Sequence, residues 1–442
     1  MSLVIKAHDF FAVKKAEIIL DGMTIISGIN GCGKSTLARS TYELLFAAIK
    51  YDDLVSKNIQ RVLREMKQSL RSAITHLSGF IKRSDAIKLQ QMAYRNYRDD
   101  NDEKYCDFID TLINICTEIS PPILSSKRKY YDSFCSILSN IIEKKYDINA
   151  KAEDLLEEFK NKYLKIISSA DIYKSERKTN IFQHQWTELF GQKLNPSLFN
   201  VFENNIPIVD SDRNIVLLPD SVKRVFYIDT PMSLMNSSFF IFDETRKHWE
   251  DLNQVIWQSK KLGEPFDFKP TEAGGLLSGN FDWNEDKSTL LYQASNESPA
   301  FDVLKQGATG LKTFVIMQSL YREGLINKNT LLILDEPEAH LHPQWIVHYA
   351  KFLIMLRKET RCSFLISSHS TDMISALKFI AEKELDKKAR FYLADIEDEK
   401  KLLYNFKGLD DDIEPIFEKF NKSFKIMDKY SDIEENIEST IS

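Results

Sequence analysis

The chain opens with three short apolar runs, LVIKA, AEIIL and MTIIS, whose β-branched residues read as strands. The third runs into the glycine loop GINGCGKST, Gly28 to Thr36, and then into LARSTYELLFAAI, whose apolar residues recur at helical spacing. From about Tyr51 to Leu198 the pattern changes. Stretches such as VLREMKQSLRSAITHL and FCSILSNIIEKKYDI place apolar residues three and four apart, with an interruption at Pro121 and Pro122. No strict heptad persists, so the expectation is a compact helical lobe of one or two antiparallel helix pairs rather than a long coiled-coil arm. Short strands then return at NIVLL, RVFYIDTP and a hairpin-like pair around GNFDWNEDKSTLLYQ. Finally, TLLILDEP and SFLISSHS are apolar runs of the kind buried in a parallel sheet. The predicted fold class is α/β, with a core split into residues 1–50 and 199–442 by an all-helical insertion at 51–198.

Composition narrows the picture. The 442 residues, 43% of them hydrophobic, are enough for more than one core. The net charge of −6 gives no global basic field, so any nucleic-acid contact has to be local. Five scattered cysteines (Cys32, Cys106, Cys116, Cys135 and Cys362), none in a CxxC pair, argue against a disulfide framework or a zinc site and fit a reducing cytosol. The first residues lack the order of a signal peptide, and no apolar run approaches the roughly 20 residues of a membrane span. The expected location is cytoplasmic, with no membrane partner.

The chemistry concentrates in four segments. GINGCGKS matches GxxxxGK[ST] between a strand and a helix, the context in which backbone N–H groups from Asn30 to Thr36 curl around phosphates. In that frame Lys34 reaches the β and γ oxygens, and the Ser35 hydroxyl serves magnesium. Downstream, TLLILDEP ends an apolar strand on two carboxylates. Asp335 is placed to hold the magnesium shell, and Glu336 to polarise a water against the γ-phosphate. SFLISSHS puts His369 just past another apolar strand, where an imidazole can bond the γ-phosphate or the attacking water. Before the carboxylate strand, KQGATGLKTFVIMQSL carries a glycine turn that opens a helix, a second phosphate contact through N–H groups. The expected ligands are ATP and Mg2+. Cys32, a thiol inside an anion-binding loop at a helix start, is expected to have a depressed pKa and to be protected from maleimide by ATP.

The order GINGCGKST, GATGLK, LLILDEPEAHLHP and LISSHS resembles the ABC-type ATPase heads of the structural-maintenance-of-chromosomes, Rad50 and RecF proteins. It looks closer still to the stand-alone bacterial ATPases of the overcoming-lysogenization-defect type, for which DEPEAHLHP is characteristic. The resemblance covers residues 1 to about 50 and about 200 to 410. It implies Gly33, Lys34 and Ser35 as the phosphate and magnesium loop, with Asn30, Gly31, Cys32 and Thr36 beside them. It likewise implies Asp335 as metal ligand, Glu336 as catalytic base, His369 as switch histidine, and Thr309 and Gly310 as part of the signature segment. In that family ATP is sandwiched between two heads, so a homodimer is implied. Two departures stand out. Ala308-Thr309-Gly310 lacks the usual serine, which implies slow hydrolysis if Thr309 does not substitute for it, and Asp229 and Thr230 stand where a glutamine is expected. His340 and His342 in EAHLHP have the wrong context for a metal pair.

The remaining segments bear on partners. Between Lys57 and Arg98 ten Lys or Arg face two acids, Glu65 and Asp85, with Tyr94 and Tyr97 near the end. This segment reads equally as a DNA contact or as a solvated face balanced by the acids of residues 99–110. From Asp410 onward there are ten acidic and four basic residues, a solvated tail or a docking segment. The triplet Asp410-Asp411-Asp412 is not read as nuclease metal chemistry. With 73 residues after His369, a nuclease output is expected from a separate effector protein. By analogy with the Septu, PARIS and retron-associated ATPases, the first expectation is a sensor subunit of an anti-phage defence system. The alternative is a RecF-like or Rad50-like enzyme that clamps DNA directly. A transporter subunit is disfavoured by the DEPEAHLHP branch and by the insertion after the first helix.

Overall fold

A computed structural model describes residues 3–77, 79, 81, 83–98, 101–118, 125–229, 248–252, 280–283, 290–293, 299–307, 309–386, 389–398, 400–410 and 412–421. By packing, the chain divides into two compact units, residues 1–49 with 182–442 and residues 50–181.

The first unit is built on one ten-stranded mixed sheet. Its strands in chain order are β1 (Leu3–Phe10), β2 (Val13–Leu20), β3 (Met23–Ser27), β4 (Phe199–Glu203), β5 (Ile206–Pro207), two short strands β6 (Val209–Asp210) and β7 (Ile215–Val216) paired apart from it, and β8 (Arg224–Ile228). A separate three-stranded sheet follows: β9 (Asn280–Trp283), β10 (Leu290–Gln293) and β11 (Phe301–Asp302). The main sheet is completed by β12 (Thr330–Asp335), β13 (Ser363–Ser368), β14 (Arg390–Asp398) and β15 (Leu403–Leu409), in the order β5-β4-β1-β2-β15-β14-β3-β13-β12-β8. The antiparallel β1–β2 pair alternates buried and exposed residues. By contrast, β3 is buried at every position, and its neighbours β13 and β14 run parallel to it, as do β12 and β8 next along. A strand covered on both faces has no polar side to show, so the uninterrupted apolar runs belong here. The hairpin-like pair read at 279–293 is seen as β9 and β10, and residues 284–289 between them lie outside the described residues.

Helices cover this sheet: α1 (Lys34–Ile49), and later α8 (Val303–Gln306), α9 (Thr309–Arg322), α10 (Pro343–Thr360), α11 (Thr371–Glu384) and α12 (Glu414–Phe420). Ile25, Leu332, Phe364 and Ile366 of the strands pack with Phe314, Phe352 and Leu377 of the helices in one core.

The second unit holds α2 (Tyr51–Leu77), α3 (Arg83–Arg98), α4 (Asp102–Thr117), α5 (Ser125–Ile141) and α6 (Ala152–Glu176). Leu63, Met66, Leu70, Ile74 and Leu77 of α2 recur three and four apart and face a second core with Phe108, Leu112, Phe134, Leu138 and Phe159. The insertion, expected to run to residue 198, divides earlier by packing. In α7 (Thr179–Phe190), Trp186 is fully buried between Phe182 and Phe190 and packs on Phe10 and Phe199 of the sheet. This aromatic burial ties residues 182–198 to the first unit. Among the described residues no helix is long and apolar enough to cross a membrane.

Candidate functional site

Parallel strands deliver their carboxyl ends to one edge of a sheet, where ligands bind in open α/β folds. Here the register aligns Ser27 of β3 with Ser368 of β13, and Ser367 of β13 with Asp335 of β12. Segments from opposite ends of the chain therefore end side by side.

After β3 the chain turns through Gly31 and Gly33, both with left-handed backbone (φ 81° and 97°), and enters α1 at Lys34. A Cβ on Gly33 would also lie 2.8 Å from the Val13 side chain, so the position excludes larger residues twice over. The first N–H groups of α1 are free of intrahelical partners and carry the positive end of the helix dipole, a cradle suited to phosphate. Lys34 is buried, its ammonium donating to the carbonyls of Gly28 (2.8 Å) and Ile29 (3.1 Å). Cys32 behaves otherwise than expected. Its side chain is fully buried, and burial pushes the thiol up from its ordinary pKa, with Lys34 opposing only in part. The sulfur packs against Gly28, where a Cβ would lie 2.7 Å from it, so burial outweighs the nearby Lys34 charge and backbone N–H groups that favour the thiolate.

Asp335 is the hub of the edge. Its Oδ1 accepts from Ser35 Oγ at 3.1 Å and from the Ser367 hydroxyl, and its Oδ2 accepts from Tyr227 Oη at 2.8 Å. Burial raises its pKa, and the three hydroxyls hold that rise back. Magnesium takes oxygen ligands, and a hydroxyl and a carboxylate side by side at the end of a phosphate loop form a donor set that fits it. Next to it, Glu336 sits in the left-handed region (φ 49°), a conformation that costs a non-glycine residue about 1–3 kcal/mol. Its N–H is held by the Ser367 carbonyl at 2.9 Å. Glu336 Oε1 lies 3.2 Å from Nδ1 of His369, so the expected base and the expected switch histidine meet.

Three residues at this edge had no place in the sequence reading. Tyr227, from β8, anchors Asp335. Ser367, in LISSHS, does so from β13. Glu338, in the middle of DEPEAHLHP, is buried, and its Oε1 accepts from the Ser368 hydroxyl (2.7 Å) and the His369 N–H (3.1 Å). Burial raises its pKa against those two bonds. Nothing in the local sequence marks Glu338 as a buried carboxylate, and nothing marks Tyr227 among the apolar residues of its strand.

Asp229, expected at the glutamine position, ends the strand next to β12. Burial pushes its carboxyl up, but bonds with His248 Nε2 (3.0 Å) and from Trp249 Nε1 (2.6 Å) outweigh this and leave it below its ordinary pKa. Thr230 lies outside the described residues.

Thr309 and Gly310 open α9. No hydrogen bond or ion pair joins them to the phosphate loop among the described residues. Instead a Cβ on Gly310 would meet Leu341 Cδ2 at 2.9 Å and the His340 carbonyl at 3.2 Å, which places the start of α9 against the EAHLHP segment. Ala308 lies outside the described residues. His342 caps α10, its Nδ1 accepting from the Gln344 N–H at 3.4 Å, a structural use of the side chain. Among the described residues no group of three or more His, Cys, Asp or Glu is placed to hold a metal ion.

In the basic segment, Lys67 is buried beside Asp102 (3.4 Å), and Arg71 lies over the rings of Tyr94 (4.9 Å) and Tyr97 (5.5 Å). The two tyrosines are thus occupied by a cation–π contact within the lobe. Lys57, Arg61, Arg64, Lys88 and Arg95 are exposed, and Lys82 lies outside the described residues. The tail beyond residue 421, and Asp411, also lie outside them.

Comparison with known proteins gives one family. The model of the AAA domain described as putative AbiEii toxin, type IV TA system, matches residues 125–375, more than half of the chain, including Asp335, Glu336 and His369. No curated protein matches the chain. Among solved structures, the chain is similar to the Smc head domain with an extended coiled coil, bound to the C-terminal domain of ScpA, from Pyrococcus furiosus. That likeness has 10% identity and a TM-score of 0.31, covering 97% of this chain and 98% of that one. It is similar also to the SmcHead bound to the C-winged helix domain of ScpA (9% identity, TM-score 0.36, 92% and 96% covered). The SMC head domain from Thermotoga maritima matches over 48% of this chain and 65% of that one (12% identity, TM-score 0.28).

Proposed function

The chain belongs to the AAA domain family described as putative AbiEii toxin, type IV TA system, and from this premise we propose that it binds ATP with Mg2+, closes into a dimer around it and hydrolyses it slowly. The observation that carries the proposal is the convergence at one sheet edge of Lys34 and Ser35 with Asp335, Glu336 and His369. Each has a role its chemistry allows. The loop N–H groups and Lys34 bind phosphate oxygens, and Lys34 exchanges its two carbonyl partners for them. Ser35 and Asp335 would hold magnesium, which when bound supplies positive charge against the β and γ phosphates. Glu336 orients and deprotonates the attacking water, with His369 beside it to share the proton.

ATP acts as a two-state switch, the interface between the two copies forming only while nucleotide is bound. We further propose that closure sets the state of a separate effector, a nuclease, in an anti-phage defence complex. The family description, which names a toxin of a toxin–antitoxin system, is in keeping with controlled toxicity as the output. Glu336→Gln is expected to accumulate the ATP-closed assembly, and Lys34→Ala to prevent it. Sedimentation with ATP and Mg2+ that gives both variants the same mass would refute the gating. The Glu336→Gln protein, recovered from its host with and without nuclease treatment and weighed by native mass spectrometry, tests the effector. A stoichiometric second protein that survives nuclease is the expected result. Recovery of DNA with the homodimer alone would transfer the function to direct DNA clamping.

A further inference from the structure

Glu338 is a buried carboxylate that the proposed mechanism does not use. It sits on the loop after β12, three residues beyond Asp335, and its Oε1 reaches across to the end of β13 and the first residue after it. There it takes the Ser368 hydroxyl at 2.7 Å and the His369 N–H at 3.1 Å, and it lies 3.8 Å from His369 Nδ1. Its other oxygen, Oε2, is buried with no hydrogen-bond partner among the described residues. A buried carboxylate left half-satisfied is costly, so its retention asks for a use. The one it has is geometric: it is a direct side-chain link between the loop that carries Glu336 and the one that carries His369. The Glu336 N–H to Ser367 carbonyl bond joins the same loops through the backbone, closing a small ring of contacts around the Glu336–His369 pair.

We propose that Glu338 is a positioning residue that fixes His369 against Glu336. This rests on the hydrolytic reading above. Glu338 touches neither ATP nor water in the scheme; it acts through the backbone and ring of His369. With Nδ1 turned to the two carboxylates, Nε2 is the nitrogen left for the phosphate or the water. Freed of Glu338, the chain after β13 loses the two bonds that fix its backbone at Ser368 and His369, and with them the placement of the ring; a small misplacement of a reacting group is enough to slow turnover.

The test is steady-state hydrolysis by the full-length chain, with the affinity of a fluorescent ATP analogue and the thermal midpoint measured alongside. Glu338→Ala is expected to lower kcat about 10- to 100-fold while affinity stays within about threefold. Glu338→Gln, whose amide oxygen accepts the same two bonds, is expected to restore most of the rate. In a His369→Ala background, Glu338→Ala should cost less than about twofold, because the two act as one unit. Ser368→Ala, which removes one of the two bonds without burying a new group, is the second variant should Glu338→Ala not fold, and the same loss of kcat at kept affinity is expected from it. Unchanged kcat in the folded variants, parallel loss of affinity and rate, no rescue by Gln, or full additivity with His369→Ala would each overturn the assignment. Wild-type turnover no greater than that of Lys34→Ala would bring down the hydrolytic reading and this inference with it, whereas wild-type turnover with an unaffected Glu338→Ala overturns only the inference.

Discussion

Replacing Tyr227 by Phe deletes one oxygen and leaves the ring where it stacks, 5.8 Å from Tyr42 and 5.0 Å from His248 between centroids. The lost group is the donor to Asp335 Oδ2 at 2.8 Å, and Asp335 is only 7% exposed, so water does not readily replace it. A hydrogen bond to a charged, buried acceptor contributes about 1.5–3 kcal/mol, against about 0.5–1.5 kcal/mol for a neutral one. The sign of the pH dependence follows. Asp335 already has a folded pKa above its ordinary value because of burial, with the hydroxyls opposing, and removing one of them raises it further. A carboxylate with a raised folded pKa penalises the native state above that pKa, and the penalty disappears as pH falls through it. Tyr227→Phe is therefore expected to destabilise the nucleotide-free chain by about 1.5–3 kcal/mol at pH 8, with the gap from wild type narrowing on acidification as Asp335 becomes protonated in both. Urea denaturation followed by far-ultraviolet circular dichroism at stepwise lower pH reads this directly. A gap that is absent, or constant across that range, would refute the claim that Tyr227 stabilises a buried carboxylate.

Asp395 titrates in the opposite sense. Lys407 (2.8 Å) and Lys419 (3.0 Å) lower its pKa to about 2, so its contribution to stability is present above its ordinary pKa near 3.8 and is lost as pH falls through about 2. The thermal midpoint of Asp395→Asn should lie below wild type at neutral pH, with the difference shrinking below pH 4; a difference that grows on acidification would contradict this pairing. For Cys32, burial and the raised pKa predict that maleimide labels the native chain slowly whether or not ATP is present, and labels it fully in denaturant. Rapid native labelling measured by mass spectrometry would return the thiol to the loop surface.

Much of this architecture is written in local pattern. The order strand, glycine loop and helix at residues 23–49, the apolar runs ending at Asp335 and Ser368, and the three- and four-residue periodicity of α2 all follow from side-chain chemistry over a few residues, and the structure has them where the pattern puts them. The positions of the glycine loop and of the acidic pair at the end of β12 were legible because each stands as a fixed set of residue types beside an apolar run. Tertiary structure decided what no window of sequence contains. Tyr227 reaches Asp335 because β8 pairs in parallel with β12 at one register, Leu334 beside Ile228, and a tyrosine in an apolar strand carries no mark of that. Cys32 is buried because its sulfur packs inward against Gly28, in a loop whose course is set by left-handed glycines on either side of it. Trp186 places residues 182–198 with the sheet because Phe10, far from it in the chain, and Phe199 together offer the aromatic surface it buries. Residue identity determined which chemistry is available; register, backbone handedness and long-range packing determined which of those groups meet.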